Sequence, residues 1–261
     1  MTSVLCHFNK CRNEDRFECD ILSLKHDEIE EFLSKLPFEF RRCYVTDKKI
    51  KHNIKKLSMD ANEIIRNYLP DKGNVMSGEF GEIFSFFLLK ERYLPLRLYG
   101  PRKWLWKIDR NRPLQYTDVI LFYRVKSVPD KGDFVVSAET KMKATKNKQY
   151  NPIQDAFNGA TLDSISRLAI TLTWLRQRSI KSSDQKSVDF LNRFIKSTES
   201  VEYGKHFKAI AIMEEILLKN ELSKKIDIKN TDNNLEIVVV AIKGLKSVYQ
   251  ETYERIIACS I

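Results

Sequence analysis

Asp133–Ala144 reads DFVVSAETKMKA, and the segment before it, Tyr116–Val125, reads YTDVILFYRV. Both are rich in β-branched and aromatic residues, and Pro129, Asp130, Lys131 and Gly132 between them are turn formers. The pattern predicts two strands joined as a hairpin. Side chains alternate between the faces of a strand. Phe134, Val136, Ala138, Thr140 and Met142 therefore point toward a packed core, and Val135, Ser137, Glu139, Lys141 and Lys143 point the other way. Glu139 and Lys141 put a carboxylate and an ammonium side by side on a mostly apolar strand. Asp118 opens the apolar run of the preceding strand. The hairpin can bring it to Glu139 although 139 − 118 = 21 positions separate them.

Two carboxylates, a main-chain carbonyl and water form an oxygen shell suited to Mg²⁺ or Mn²⁺. Such an ion can hold a phosphoryl oxygen and make hydroxide available from bound water. A neighbouring lysine can orient that water or stabilise negative charge developing at phosphorus. Outward from the hairpin, Ser77–Arg92 reads as a helix, because Phe80, Ile83, Phe84, Phe87 and Leu88 keep the helical period. Glu79 and Glu82 share a face at its start, and either can offer a third carboxylate. Gly78 and Gly81 beside them permit close backbone approach.

The remaining elements frame a mixed α/β sandwich. Leu96–Tyr99 and Lys103–Asp109 are further strand candidates. A long helix is expected from Asn151 (N-cap) and Pro152, with Phe157, Ala160, Ile165, Leu168, Leu172 and Leu175 on its apolar stripe. Phe207–Met213 and Leu235–Ile242 read as buried strands, and Leu245–Ala258 as a final helix. Residues 1–70 are expected to form a small N-terminal α+β lobe that contacts a partner or DNA. Within it, Arg16–Leu24 and Arg41–Thr46 are strand-like, His26–Leu36 is amphipathic, and Ser58–Leu69 is helical with Ser58 or Asp60 as N-cap. Residues 71–261 are expected to carry the site.

Tyr116-Thr-Asp118 followed by Ser137-Ala-Glu139-Thr-Lys141 resembles the core of the PD-(D/E)xK nucleases, with Thr117 standing where the nominal proline would be. The order of elements resembles it too: a glutamate-bearing helix, the two strands, then a long helix. More narrowly, GEFGEIFSFFLL, YTDVILF, VSAETKMKA and a basic front section resemble the HamA family over most of the chain, from about Asp60 onward. These are nuclease effectors of the Hachiman anti-phage defence system. The resemblance implies a restriction-endonuclease-like fold and Mg²⁺- or Mn²⁺-dependent hydrolysis of DNA. Asp118 and Glu139 would be metal ligands, with the Thr140 carbonyl as a further one, and Lys141 would be the catalytic lysine. Glu82 would be the helix carboxylate, with Glu79 as its alternative. It also implies a helicase partner, HamB, that restrains and directs the nuclease. The chain has no G-x4-G-K-[ST] phosphate loop, so it is not expected to bind ATP itself. A reading from a different class is a non-catalytic nucleic-acid-binding or scaffolding subunit on the same fold.

The chain has 261 residues, of which 43% are hydrophobic, enough for a sizeable core. Lys and Arg number 45 against 35 Asp and Glu, a net charge of +10, which favours a polyanionic partner. Lys143, Lys146 and Lys148 lead away from the proposed site and could follow a phosphate backbone. Gln154, one turn from Asn158, could face substrate. Lys48, Lys49, Lys51, Lys55 and Lys56 form a second basic cluster. Trp104 and Trp106 alternate with Lys103 and Lys107 as a stacking platform would. The five cysteines (Cys6, Cys11, Cys19, Cys43, Cys259) have no C-x2-C spacing, so free thiols and not a zinc site are expected. None of the four histidines stands in a catalytic or metal spacing. The longest apolar run, Ile237–Ile242, is far short of the ~18 residues that suggest a membrane helix. Without a secretory signal, a cytoplasmic location is expected.

Overall fold

The computed structural model describes residues 5–147, 149–195, 201–228 and 234–258. Within them β1 (Phe8–Asn13), β2 (Cys19–Leu24), β3 (Val119–Tyr123), β4 (Phe134–Lys143), β5 (Gly204–Glu214) and β6 (Leu235–Ile242) make one mixed sheet, ordered β1-β2-β6-β5-β4-β3. The pairs β2–β6, β6–β5 and β5–β4 are parallel, while β1–β2 and β3–β4 are antiparallel. A parallel pair needs a long crossover. Between β4 and β5 it comprises α5 (Pro152–Leu162), a π-helical turn (Asp163–Arg167), α6 (Leu168–Lys181) and α7 (Gln185–Ile195).

Both faces of the sheet are covered, so the central strands are continuous apolar runs. Phe207–Met213 of β5 is buried at every position. On one face α4 (Asn74–Arg92) lays Phe80 and Phe84 over Val136, Ala138, Ile210 and Val238. On the other face α5 packs Ala156 and Ala160 near Ala209 and Ala211, and α6 and α7 cover Ile120, Phe122 and Val135. The helices α1 (Ile29–Tyr44) and α9 (Leu245–Ile257) join the α4 side. Residues from the front section thus supply strands to this sheet and side chains to the same core.

Several expected boundaries change. The segment Arg41–Thr46 is not a strand: α1 continues through Pro37 to Tyr44. An interior proline costs about 3 kcal/mol, but Phe32, Leu33, Leu36, Phe40, Cys43 and Tyr44 are all buried along one stripe. At roughly 1.5–3 kcal/mol for each large side chain, packing outweighs the proline. Thr46 then caps α2 (Asp47–Leu57), its hydroxyl accepting from Lys49 N–H at 3.2 Å. Ser58 is the left-handed residue that closes α2, and Asp60 caps the short α3 (Ala61–Arg66). The candidates Leu96–Tyr99 and Lys103–Asp109 reduce to one Tyr99–Phe122 bridge and a 3-10 turn at Lys103–Trp106. The expected long helix is broken by the π turn. The extra residue there rotates the stripe, so Ile165 is 73% exposed although Ala160 and Leu168 are buried.

Among the described residues no helix is long and apolar enough to cross a membrane. Cys19 and Cys43 are buried free thiols whose pKa burial pushes up to about 12, while Cys6 and Cys11 are exposed. Cys259 lies outside the described residues.

Candidate functional site

The β3–β4 register aligns Val119 with Ala138, so one further step sets Asp118 opposite Glu139 at the mouth of the hairpin. The half-buried Asp118 carboxylate accepts the Thr140 N–H at 2.9 Å. Burial, then the neighbouring charges of Glu82 and Glu139, push its pKa up to about 8, against the pull of Lys103 and the Thr140 amide. Such crowding of acids is relieved by a bound cation.

Glu139 is only 4% exposed. Its Oε1 accepts from Lys141 Nζ at 2.5 Å, and its Oε2 accepts from the Arg167 guanidinium. Burial opposes the charge on Lys141, but the Glu139 hydrogen bond, the Glu139 charge and the Asp118 charge prevail, and its pKa is raised. Lys141 is therefore an ammonium at neutral pH, a donor and a positive charge with no lone pair for use as a base. The Glu139 side chain lies directly against α5 where Gly159 leaves room. A Cβ at Gly159 would stand 2.5 Å from Glu139 Cδ and 2.8 Å from Oε1.

Behind this pair lies a buried polar layer. Asp163 accepts from Ser137 Oγ at 2.5 Å, from Thr117 Oγ1 at 3.1 Å, and from Arg167 Nε. Arg167 also donates to the Gly159 carbonyl at 2.8 Å. Thr117 N–H donates to Thr171 Oγ1 at 3.3 Å, and Lys103 Nζ donates to the Thr117 carbonyl at 3.1 Å. A proline at 117 would lack both the amide and the hydroxyl donor. The threonine ties Asp118 to the π turn that carries Arg167.

The two helix glutamates have separate surroundings. Glu82 borders the same cleft as Asp118, Thr140 and Lys141, a space of about 880 Å³. It pairs with Lys103 at 3.0 Å and accepts the Trp104 indole N–H at 3.2 Å. Glu79 is turned into the core, where it pairs with Lys107 and accepts from Tyr44 Oη at 2.9 Å. Burial pushes its pKa up to about 7 despite Lys107. Gly81 lets α4 approach β4, since a Cβ there would meet Thr140 Cγ2 at 3.2 Å, whereas one at Gly78 would meet nothing within 4 Å.

The oxygen donors are of the hard type that Mg²⁺ and Mn²⁺ take, and Asp118 carries only the Thr140 hydrogen bond among the described residues. Glu139, with a cation on each oxygen, must release one of them to face a metal. Among the described residues, Asp118, Glu139 and Glu82 do not form a group with ligand atoms all within 4.8 Å of one another. Among the described residues, the one group of three or more that does is His7, Glu28 and Glu31, where Lys25 and Lys35 neutralise the two glutamates.

The expected substrate contacts fare unevenly. Lys143 is buried and donates to Glu221 at 2.8 Å and to the Tyr150 carbonyl at 2.6 Å, so it is an internal ion pair and not a phosphate contact. Alternation placed it on the Glu139 face, but the last strand residue is covered by α8 (Leu218–Leu222), which carries Glu221. Lys143→Met is expected to destabilise the fold by about 1–3 kcal/mol in denaturant titration, because the buried Glu221 loses one of its two cations and keeps Lys224 at 2.7 Å. The salt dependence of DNA binding should stay unchanged; a slope lowered by about one would restore the phosphate role. Lys146 is exposed. Lys148 lies outside the described residues. Gln154 clamps the chain near Asp227, accepting its N–H at 2.8 Å, and donates to Asn158 at 2.9 Å. Trp104 is buried at Glu82, so the two tryptophans do not form one exposed platform. The five lysines of the second basic cluster are exposed along α2.

Sequence reading missed Arg167, Asp163 and Gly159, and it gave Lys103 to a stacking platform where the structure pairs it with Glu82 and the Thr117 carbonyl. Arg167 and Asp163 are spaced i,i+4. That spacing is common on solvated helices, and only the π turn aims Arg167 at Glu139. Gly159 carried a usable signal, a glycine inside an otherwise strong helix.

A model of the HamA family matches residues 2–256 of the chain. No curated protein matches it.

Proposed function

The chain belongs to the HamA family of the Hachiman defence system, and from that premise we propose that it is a metal-dependent deoxyribonuclease built on a PD-(D/E)xK core. The observation that carries the proposal is the juxtaposition of Asp118, Glu139 and Lys141 at the end of one hairpin, with Glu82 bordering the same cleft. Asp118, Glu139, Glu82 and the Thr140 carbonyl would hold Mg²⁺ or Mn²⁺. The ion, when bound, supplies Lewis acidity toward a phosphoryl oxygen and lowers the pKa of coordinated water.

The chain's own residues do the rest. Lys141, held as an ammonium, orients the attacking water by donating to it and offsets the charge that builds on phosphorus. Arg167, pinned by Asp163, fixes the direction of Glu139 and brings a second positive charge to the site. Thr117 and Lys103 hold the backbone that presents Asp118. DNA is the substrate that the net charge of +10 favours. A helicase subunit, HamB, is the proposed regulator, and the exposed lysines of α2 offer it or DNA a basic surface.

The test is incubation of purified chain with supercoiled plasmid. Mg²⁺ or Mn²⁺ should support cleavage and EDTA should stop it. Rescue by Zn²⁺ alone would indicate other chemistry. DNA binding without any cleavage, alone or with the helicase, would favour the non-catalytic subunit.

A further inference from the structure

A second cavity, about 730 Å³, lies where α6 and α7 meet the β3 edge of the sheet. Its walls are aromatic: Trp106, Trp174, Tyr99 and Phe190 among them. Trp106 and Trp174 meet edge to face at 5.6 Å, and Tyr116 packs on Trp174 at 5.3 Å, two positions from Asp118. Tyr116, two residues before Asp118 in the chain, thus packs against a wall of the cavity.

Among the described residues, the cations at this cavity are not used up internally. The Arg178 guanidinium lies over the Trp106 ring, 4.4 Å from its centroid. Among the described residues the guanidinium makes no hydrogen bond or ion pair, and the Lys181 side chain at the rim makes none either. Asp184, the acid in the lining, caps α7 by accepting from the Ser187 N–H at 3.1 Å and hydroxyl at 2.6 Å. An anion is therefore met by free donors, and a planar ring by aromatic walls.

We propose that this cavity receives one unpaired nucleotide of a DNA strand, its base among the aromatic walls and its phosphate on Arg178 and Lys181. Base stacking on aromatic side chains is tolerant of sequence, and each phosphate contact adds salt-sensitive affinity. A base paired inside a duplex cannot enter, so the cavity selects strands that are open near the cleavage site. The inference deepens the nuclease reading, but its binding step needs no metal and no catalysis.

Two of the three tryptophans line the cavity and the third is buried at Glu82, so intrinsic fluorescence reports on it. In EDTA, an oligothymidylate of about ten nucleotides should quench the emission saturably, within the usual span of single-strand sites. The matching duplex should quench it little. Arg178→Ala should weaken the single-strand affinity about tenfold, and the exposed Lys181→Ala about threefold, with unchanged circular dichroism. No quench by the single strand, or wild-type affinity in both variants, would overturn the proposal. Thymidine monophosphate quenching as strongly as the strand at equal nucleotide concentration would overturn the assignment to a DNA strand in favour of a free nucleotide. Metal-dependent cleavage is scored separately, so a failed pocket and a failed nuclease give different results.

Discussion

Glu139→Gln is expected to lower Mg²⁺-dependent plasmid cleavage by about 10²–10³-fold while leaving the fold intact. The substitution keeps the shape of the side chain against Gly159 and removes its charge. It weakens the proposed metal ligand and the anchor that holds Lys141 and Arg167 in place. Losing one preorganised electrostatic group from a site typically costs that much in rate. Arg167 retains Asp163, so no buried cation is stranded and the melting temperature should move little. Agarose electrophoresis of the nicked and linear products, beside a thermal melt, reads both quantities. Cleavage within threefold of wild type would reject Glu139 as a ligand.

The second large effect is at Gly159. Alanine inside a helix is normally favoured over glycine by about 1 kcal/mol. Here the added methyl would collide with Glu139 Cδ and Oε1, and the obstacle is a buried carboxylate held by two cations. Overpacking of that kind costs roughly 1–3 kcal/mol, so the sign reverses. Gly159→Ala should lose stability and reduce cleavage about 10–100-fold, because Glu139 is displaced by a fraction of an ångström or more. Single-strand binding at the aromatic cavity should be unaffected. A variant that gains stability and keeps full activity would show that Glu139 moves aside without consequence.

The hairpin and its acidic mouth were legible because two strong local signals coincide there. Alternation assigns Glu139 and Lys141 to one face, and the turn residues at 129–132 set the pairing that brings Asp118 across. The central strands were legible for the same reason. What failed depended on tertiary packing. Arg41–Thr46 has strand-like local preferences, but a helix that buries six large side chains absorbs most of it, leaving Val45 and Thr46 as the link to α2. Lys143 obeys alternation and still never reaches solvent, since α8 covers the end of β4 with a matching glutamate. The choice between Glu79 and Glu82 could not be made from a shared helix face. The structure separates their surroundings: Lys107 and Tyr44, remote in sequence, close around Glu79, while Glu82 lies beside the cleft. Arg167 was hidden by the π turn, whose extra residue is silent in a period-based reading.

The role of Thr117 shows how a departure from a motif can be read physically. With a donating amide and hydroxyl, it links the segment that carries Asp118 to Asp163 and Thr171 in a way the imino acid cannot. The chain therefore positions Asp118 by hydrogen bonds where the nominal motif would restrict the backbone.

On the proposed mechanism, Asp118 and Glu139 share a divalent cation. Crystals soaked in Mn²⁺ and measured near the manganese absorption edge would reveal that ion. An anomalous peak is expected within coordination distance of a carboxylate oxygen of each residue, with Glu139 released from Lys141 or Arg167. Manganese found only at His7, Glu28 and Glu31, with Glu139 still locked between its two cations, would contradict that mechanism.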